Sequence, residues 1–359
     1  MKRLTSSYMT KQTSKKPSTP SRKKDHVDIC LTEDVEYQEK TSGFNRVEFV
    51  HNALPELNLK QVDTSAMFLK KELRMPLMIT GMTGGYEGAV KINGDLALVC
   101  EDKRLALGLG SQRQALEDDS QLESYNIVRK NAPSIPIVGN IGAAQIVRGL
   151  NMKRLQKLLD GIEADALAIH LNALQEAVQF EGDVNFEGVL KGIARLIKRL
   201  KIPIIVKETG AGISYSAAKR LADVGVKYID VSGSGGTSWS AVESFRKHTD
   251  DSSQDKNRLA KKFRDWGIPT TVCIQKVSLI KKVVVIASGG IKDGIDIAKS
   301  IALGADIAGM ARPLLKVLME SGTVSLANEV DHIQKELQLS MFLTGSRNIR
   351  KLKKAPLKY

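Results

Sequence analysis

From Pro76 onward, short apolar runs rich in β-branched residues alternate with longer stretches whose apolar positions recur at helical spacing. The runs are PLMIT (76–80), RLALGLG (104–110), IPIVGNI (135–141), ALAIHLN (166–172), PIIVKE (203–208), YIDVSG (228–233), VVVIASGG (283–290) and IAGMA (307–311). They are continuous rather than alternating, the pattern of strands in a parallel sheet covered on both faces. The stretches between them read as amphipathic helices. Residues 149–163 place Leu150, Leu155, Leu158, Leu159 and Ile162 at roughly helical spacing, and 293–303 opens on Asp293 as an N-cap. Eight such units predict an α/β fold of the closed (β/α)8 type, a TIM barrel, over an open doubly wound sheet, which needs about six strands. Residues 25–75 form an N-terminal extension preceding the first strand, and 326–343 reads as a last helix. The spacing breaks once, between the sixth and seventh runs, where about 50 residues include the polar HTDDSSQDKNR. An excursion of that length is expected to be functional and mobile, here as a lid.

Charge changes this picture only at the ends. Of 54 Lys and Arg, eight lie in residues 1–24 and six in 347–359, neither stretch carrying an acid, which leaves 40 basic against 40 acidic residues between them. The expected organisation is a basic, disordered tail over 1–21, a single barrel domain over 22–345 and a basic tail over 346–359. A neutral body without interleaved aromatics argues against nucleic acid as the main partner, although Lys and Arg clusters neutralise phosphates without sequence preference. No apolar run approaches the ~20 residues needed to span a bilayer, and the N-terminal stretch lacks the apolar core of a secretory signal. Three widely spaced cysteines, Cys30, Cys100 and Cys273, without a CxxC pair, fit neither a disulfide framework nor a zinc site. A reducing cytoplasm is the expected location.

In such barrels the chemistry sits on the loops that follow the strands. The first run ends in Thr80-Gly81-Met82-Thr83, the second in Gly110-Ser111-Gln112-Arg113, the third in Asn140, and the fourth in His170-Leu171-Asn172 with Gln175 and Glu176 just beyond. The fifth ends in Lys207-Glu208, the sixth in Ser232 to Thr237, the seventh in Ser288 to Lys292 and the eighth in Gly309 to Arg312. SGGIKDG and GMARPLL, on adjacent strands and beside a third Gly-rich turn, read together as an anion site where backbone N–H groups approach a phosphate. One such turn alone would be a mere connection. Taken singly, Lys207 is as readily a salt-bridge partner, Thr80 and Asn140 loop residues, His170 a satisfied core residue and Glu176 an acid balancing a helix dipole. A sole rim carboxylate can also hold Mg²⁺ when substrate phosphates complete the shell. The cations available to a diphosphate are Arg22, Lys23, His26 and Arg113, with Arg22-Lys23-Lys24 reading equally as a solvated tail.

RKKDH (22–26), KTSGF (40–44), HNALPE (51–56), ITGMTGG (79–85), GSQR (110–113), HLNALQEAVQFEGD (170–183), VKETGAGIS (206–214), GSGGTSWSAVES (233–244), DWGIPT (265–270) and GADIAGMARPLL (304–315) occur in this order. Over about residues 22–345 the chain thereby resembles the type 2, FMN-dependent isopentenyl diphosphate isomerases. The resemblance implies interconversion of isopentenyl and dimethylallyl diphosphate with reduced FMN, NADPH to prime the flavin, Mg²⁺, and a homo-oligomer, commonly a tetramer or octamer. It assigns FMN to Thr80, Gly81, Met82, Thr83, Ser111, Asn140, Lys207, Ser232 and Thr237, and to the backbone of Gly290, Ile291, Lys292, Ala311 and Arg312. It assigns the substrate to Arg22, Lys23, His26, Ser111, Gln112, Arg113, Asn172 and Gln175, the metal to Glu176, and the catalytic roles to Gln175, His170 and Lys207. Moving the double bond adds one proton and removes another, so acid and base are needed without net redox change. Lys207 would meet the negative charge of a reduced flavin. Lys292 stands where the family usually has Arg, Arg312 where other members are often apolar, and 247–264 is atypically charged. The rival reading is another FMN barrel, an α-hydroxy-acid oxidase with a His base and Arg clamps, or a nucleotide oxidoreductase with a loop cysteine, for which Cys273 is poorly placed.

Overall fold

The computed structural model describes residues 19–246 and 251–359. Its centre is a closed barrel of eight parallel strands: β1 (Leu77–Ile79), β2 (Ala106–Gly108), β3 (Ile137–Gly142), β4 (Ala166–Leu171), β5 (Ile204–Glu208), β6 (Tyr228–Asp230), β7 (Val284–Ser288) and β8 (Ile307–Met310). Each pairs with the next, and β8 closes on β1 with Ala308 opposite Leu77. These are the eight apolar runs of the sequence. Their continuity has a simple cause in the burial of both faces. Leu77, Ile79, Leu107, Ile137, Leu167 and Ile169 pack outward into one core with the helices. Met78, Ala106, Val138, Ala166, Ala168, Ile205, Ile286 and Ile307 form a second, inner cluster. Each large aliphatic side chain so enclosed contributes about 1.5–3 kcal/mol. The antiparallel hairpin Ala66–Phe68 with Lys71–Leu73 adds Phe68, Leu69 and Leu73 to that inner cluster just ahead of β1. It plugs the amino-terminal end, which leaves the carboxyl-terminal rim for chemistry.

The helices follow their predicted signals. Asp293 caps Gly294–Ala302, its carboxylate accepting from Asp296 N at 2.8 Å, and Asn151 caps Met152–Gly161. The segment Arg312–Leu343 is two helices that meet at a kink at Gly322, whose φ is 80°, so the predicted 326–343 helix is the second of them and a further helix from Arg312 precedes it. Residues 1–18 of the predicted disordered tail lie outside the described residues, while 19–21 belong to the helix Thr19–Thr32. Residues 346–359 are no free tail. They form the helix Ile349–Leu352, with Leu352 buried, and the strand Leu357–Lys358, which pairs with Glu48–Phe49. Between β6 and β7 the predicted loop carries the helices Trp239–Phe245, Asp251–Lys262 and Thr270–Val277; part of its polar segment, 247–250, lies outside the described residues. Among the described residues no helix is long and apolar enough to cross a membrane.

Candidate active site

A cavity of about 530 Å³ opens at the carboxyl-terminal rim. All the residues assigned above to flavin, substrate, metal or catalysis line it except Gln112. That side chain is fully buried in the wall, where its Oε1 accepts from Asn140 N at 3.0 Å. Gln112 therefore supports Asn140 rather than facing a substrate, a departure from the sequence reading.

One end of the cavity is made of main chain. Gly289 and Gly290 adopt φ of 99° and 72°. A Cβ on Gly236 would lie 2.5 Å from Gly290 N, and one on Gly290 would lie 2.5 Å from Gly235 O, so the turns after β6 and β7 interlock backbone against backbone. The helix Gly294–Ala302 begins just beyond the turn after β7, and Arg312–Leu343 begins directly after the neighbouring β8. Their amino-terminal N–H groups and dipoles favour an anion. This cradle fits the phosphate of FMN. Ser232, with φ of 37°, lines the same region in a left-handed conformation that is uncommon for a residue with a Cβ.

The floor is polar and tightly partnered. Lys207 Nζ donates to Glu208 O at 2.6 Å and lies 4.0 Å from Asp230 Oδ2. Ser288 Oγ donates to Asp230 Oδ1 at 2.6 Å. Asn140 Nδ2 donates to Leu109 O at 2.9 Å, so its oxygen is the atom facing His170 Nδ1 at 2.8 Å. The network thus assigns the ring proton to Nδ1. Burial, reinforced by the positive charges of Lys207 and Lys23, pushes His170 down to about 3 and keeps the imidazole neutral.

The other end is made of side chains. The helix Thr19–Thr32 crosses the mouth and brings Arg22, Lys23 and His26 to the cavity. Lys23 Nζ donates to Ser111 O and, at 2.8 Å, to Tyr125 OH. Burial first, then the neighbouring Arg22 and Arg113, lower it to about 7. Behind these cations stands a buried network that the sequence reading missed. Arg246 pairs with Glu181 at 2.9 Å and Glu243 at 3.0 Å, while Arg22 lies 3.5 Å from Glu181. His26 Nε2 is 3.0 Å from Glu243 Oε1, and Gln175 Nε2 donates to the same oxygen at 2.9 Å. Burial opposes the charge of Glu243, yet His26, Arg246 and the Gln175 hydrogen bond hold its pKa at about 2. Both acids sit inside motifs quoted above. The available signal was the i,i+3 pair Glu243–Arg246 at the end of a short helix whose other residues are mostly apolar or small.

Glu176 Oε1 accepts from Asn172 Nδ2 at 3.0 Å and its Oε2 from Asp183 N at 2.6 Å. Asn172 Oδ1 beside it is buried and without a partner. A free oxygen next to a carboxylate suits a hard cation. No group of three or more His, Cys, Asp or Glu among the described residues could enclose a metal, so such a cation would draw its remaining ligands from phosphate and water.

Barrel, cradle and floor together define a flavin enzyme of the (β/α)8 class. Residues 149–358 match the FMN-dependent dehydrogenase family. Solved structures with similar folds include a flavocytochrome b2 mutant with benzoylformate (TM-score 0.66, 18% identity, covering 91% of this chain and 80% of that one). Another is a lactate oxidase of Pediococcus acidilactici (TM-score 0.64, 16% identity, 94% and 93%). Their identities support the fold alone. Relatives named isopentenyl-diphosphate delta-isomerase are far more similar in sequence. That of Rickettsia bellii is 46% identical over 338 residues, covering 94% of this chain and 97% of its own. That of a Nostoc species is 44% identical over 342 residues, covering 95% and 96%. The chain belongs to the type 2, FMN-dependent isopentenyl-diphosphate delta-isomerases.

Proposed function

We infer that this chain interconverts isopentenyl and dimethylallyl diphosphate. The observation that carries this reading is one cavity with two differently built anion ends, a backbone cradle for the FMN phosphate and the Arg22, Lys23 and Arg113 cations for a diphosphate. FMN, reduced by NADPH, supplies the proton chemistry at the alkene. The residues of the chain bind, orient and screen. Arg22, Lys23, Arg113 and the Ser111 turn receive the diphosphate, and Glu176 with the free oxygen of Asn172 would hold a Mg²⁺ that neutralises diphosphate charge. Neutral His170 offers its Nε2 lone pair, Nδ1 being committed to Asn140.

Gln175 is held at both ends of its amide, donating to Glu243 and accepting from Asn172 Nδ2 at 3.3 Å. It thus presents a fixed dipole beside the reacting carbons. An amide is a poor acid, so Gln175 orients rather than protonates. Lys207 opposes the charge of the reduced flavin, with Asp230 balancing it. The helical excursion between β6 and β7 serves as the lid, the chain from residue 22 through 359 acts as one domain, and the enzyme works in the cytoplasm as a homo-oligomer, tetramer or octamer. The test is anaerobic conversion with FMN, NADPH and Mg²⁺. NADPH consumed in proportion to substrate would make the chain an oxidoreductase instead.

A further inference from the structure

The helix Thr19–Thr32, which brings Arg22, Lys23 and His26 to the cavity, rests on a narrow apolar strip in which Ile29 and Leu31 are only partly buried. Val27 and Cys30 are its only buried apolar residues among those described, and its last turn contains no basic residue. A helix ends in carbonyls without intrahelical partners and in a partial negative charge, which a cation stabilises. Here the cation arrives from Arg312, just after β8 on the same rim. Arg312 Nε donates to Cys30 O at 2.7 Å and Nη2 to Glu33 O at 3.2 Å, while Nη1 pairs with Glu36 Oε1 at 2.8 Å. Arg264 makes a similar clasp on the next residues, donating to Glu36 O and to Asp34 O and Oδ2, each at 2.9 Å. The guanidinium of Arg312 is thereby committed in three directions to the end of the helix, whereas the backbone of Ala311 and Arg312 borders the glycine cradle.

We propose that Arg312 is a positioning residue that latches the helix Thr19–Thr32 over the cavity and so sets affinity for the diphosphate rather than for FMN. The fork of the guanidinium is what three divergent acceptors require; lysine reaches fewer of them and leucine none. The substrate arm of the test rests on the function inferred above. The cleavage arm does not.

In the FMN-loaded full chain, Arg312→Leu is expected to raise KM for isopentenyl diphosphate roughly tenfold or more, the loss of at least one charge-assisted hydrogen bond. The rate at saturating substrate stays within about threefold, because no group near the reacting carbons changes. FMN affinity, read by fluorescence titration, stays level. Trypsin cleavage after Arg22, Lys23 or Lys24, located by mass spectrometry, becomes faster, and inorganic pyrophosphate suppresses it only at higher concentration than in the wild type. Arg312→Lys recovers part of both effects. Should Arg312→Leu fail to fold, Glu36→Ala, which removes one of the three contacts, carries the same test with a smaller rise. Wild-type KM and cleavage rate in these variants, or loss of FMN with KM unchanged, would overturn the latch. A wild type without isomerase activity would instead sink the functional reading and leave the cleavage result to decide the latch.

Discussion

The two ends of the cavity bind anions by opposite means. The cofactor end is made of glycine turns and helix starts, so its donors are main-chain groups. The substrate end is made of side chains, among them Arg22, Lys23 and Arg113, with Arg22 backed by a buried network of Glu181 and the Glu243–Arg246 pair, drawn from three separate stretches of the chain. A backbone cradle depends on the absence of a Cβ and is indifferent to most side chains. A buried charge network depends on each member, because removing one strands the others in a medium that solvates them poorly.

The largest expected effect therefore falls on Glu243. Glu243→Ala leaves Arg246 with Glu181 as its one remaining acid partner, strips Gln175 of its acceptor, and should lower stability by about 3–5 kcal/mol, read from urea unfolding, with activity lost as well. A loss under about 1 kcal/mol would show the network to be dispensable and erase the contrast. Next comes Gly290→Val, which places a branched side chain at φ 72° and 2.5 Å from Gly235 O. It should weaken FMN binding by about 100-fold or more, the scale of a few kcal/mol, while pyrophosphate still protects the helix Thr19–Thr32 from trypsin. Loss of both functions together would show that the ends are not independent.

The pH profile sharpens the comparison further. Lys23 titrates at about 7 because burial and neighbouring cations disfavour its charge. A bound diphosphate restores that charge, so binding takes up a proton. KM should rise as pH climbs past 7, by up to about tenfold per unit, and Lys23→Arg, whose guanidinium stays charged, should flatten the rise. His170, held at about 3, contributes nothing to that limb. A KM independent of pH between 6 and 9 would remove Lys23 from the diphosphate site. The smallest effect is expected for Lys292→Arg, which should change FMN affinity by less than about threefold. Its side chain is 64% exposed and only 4.0 Å from Glu36, and the cradle beside it is backbone.

The same contrast explains what could be read in the sequence. The strands were legible because each is a continuous apolar run, and the cofactor end because glycines at strand ends stand where backbones approach. The substrate end was half legible. Arg22 and Lys23 pass for a solvated tail until a helix carries them across the mouth, and Glu181, Glu243 and Arg246 read singly as surface charges. Their partners lie on other elements, which only tertiary packing joins. Gln112 was misplaced because it sits between two cavity residues, Ser111 and Arg113, yet turns into the wall. Residues 346–359 were misread because their charge hides Leu352 and Leu357, the apolar positions that anchor the segment.

The central claim is that the flavin is needed reduced but is not consumed. It is tested most directly by photoreducing the FMN-loaded protein without NADPH or oxygen, adding excess isopentenyl diphosphate and Mg²⁺, and following product and flavin absorbance together. The account predicts many molecules of dimethylallyl diphosphate per flavin with the flavin still reduced at the end. Flavin reoxidised once per molecule of substrate, or no product from the reduced protein, would contradict it.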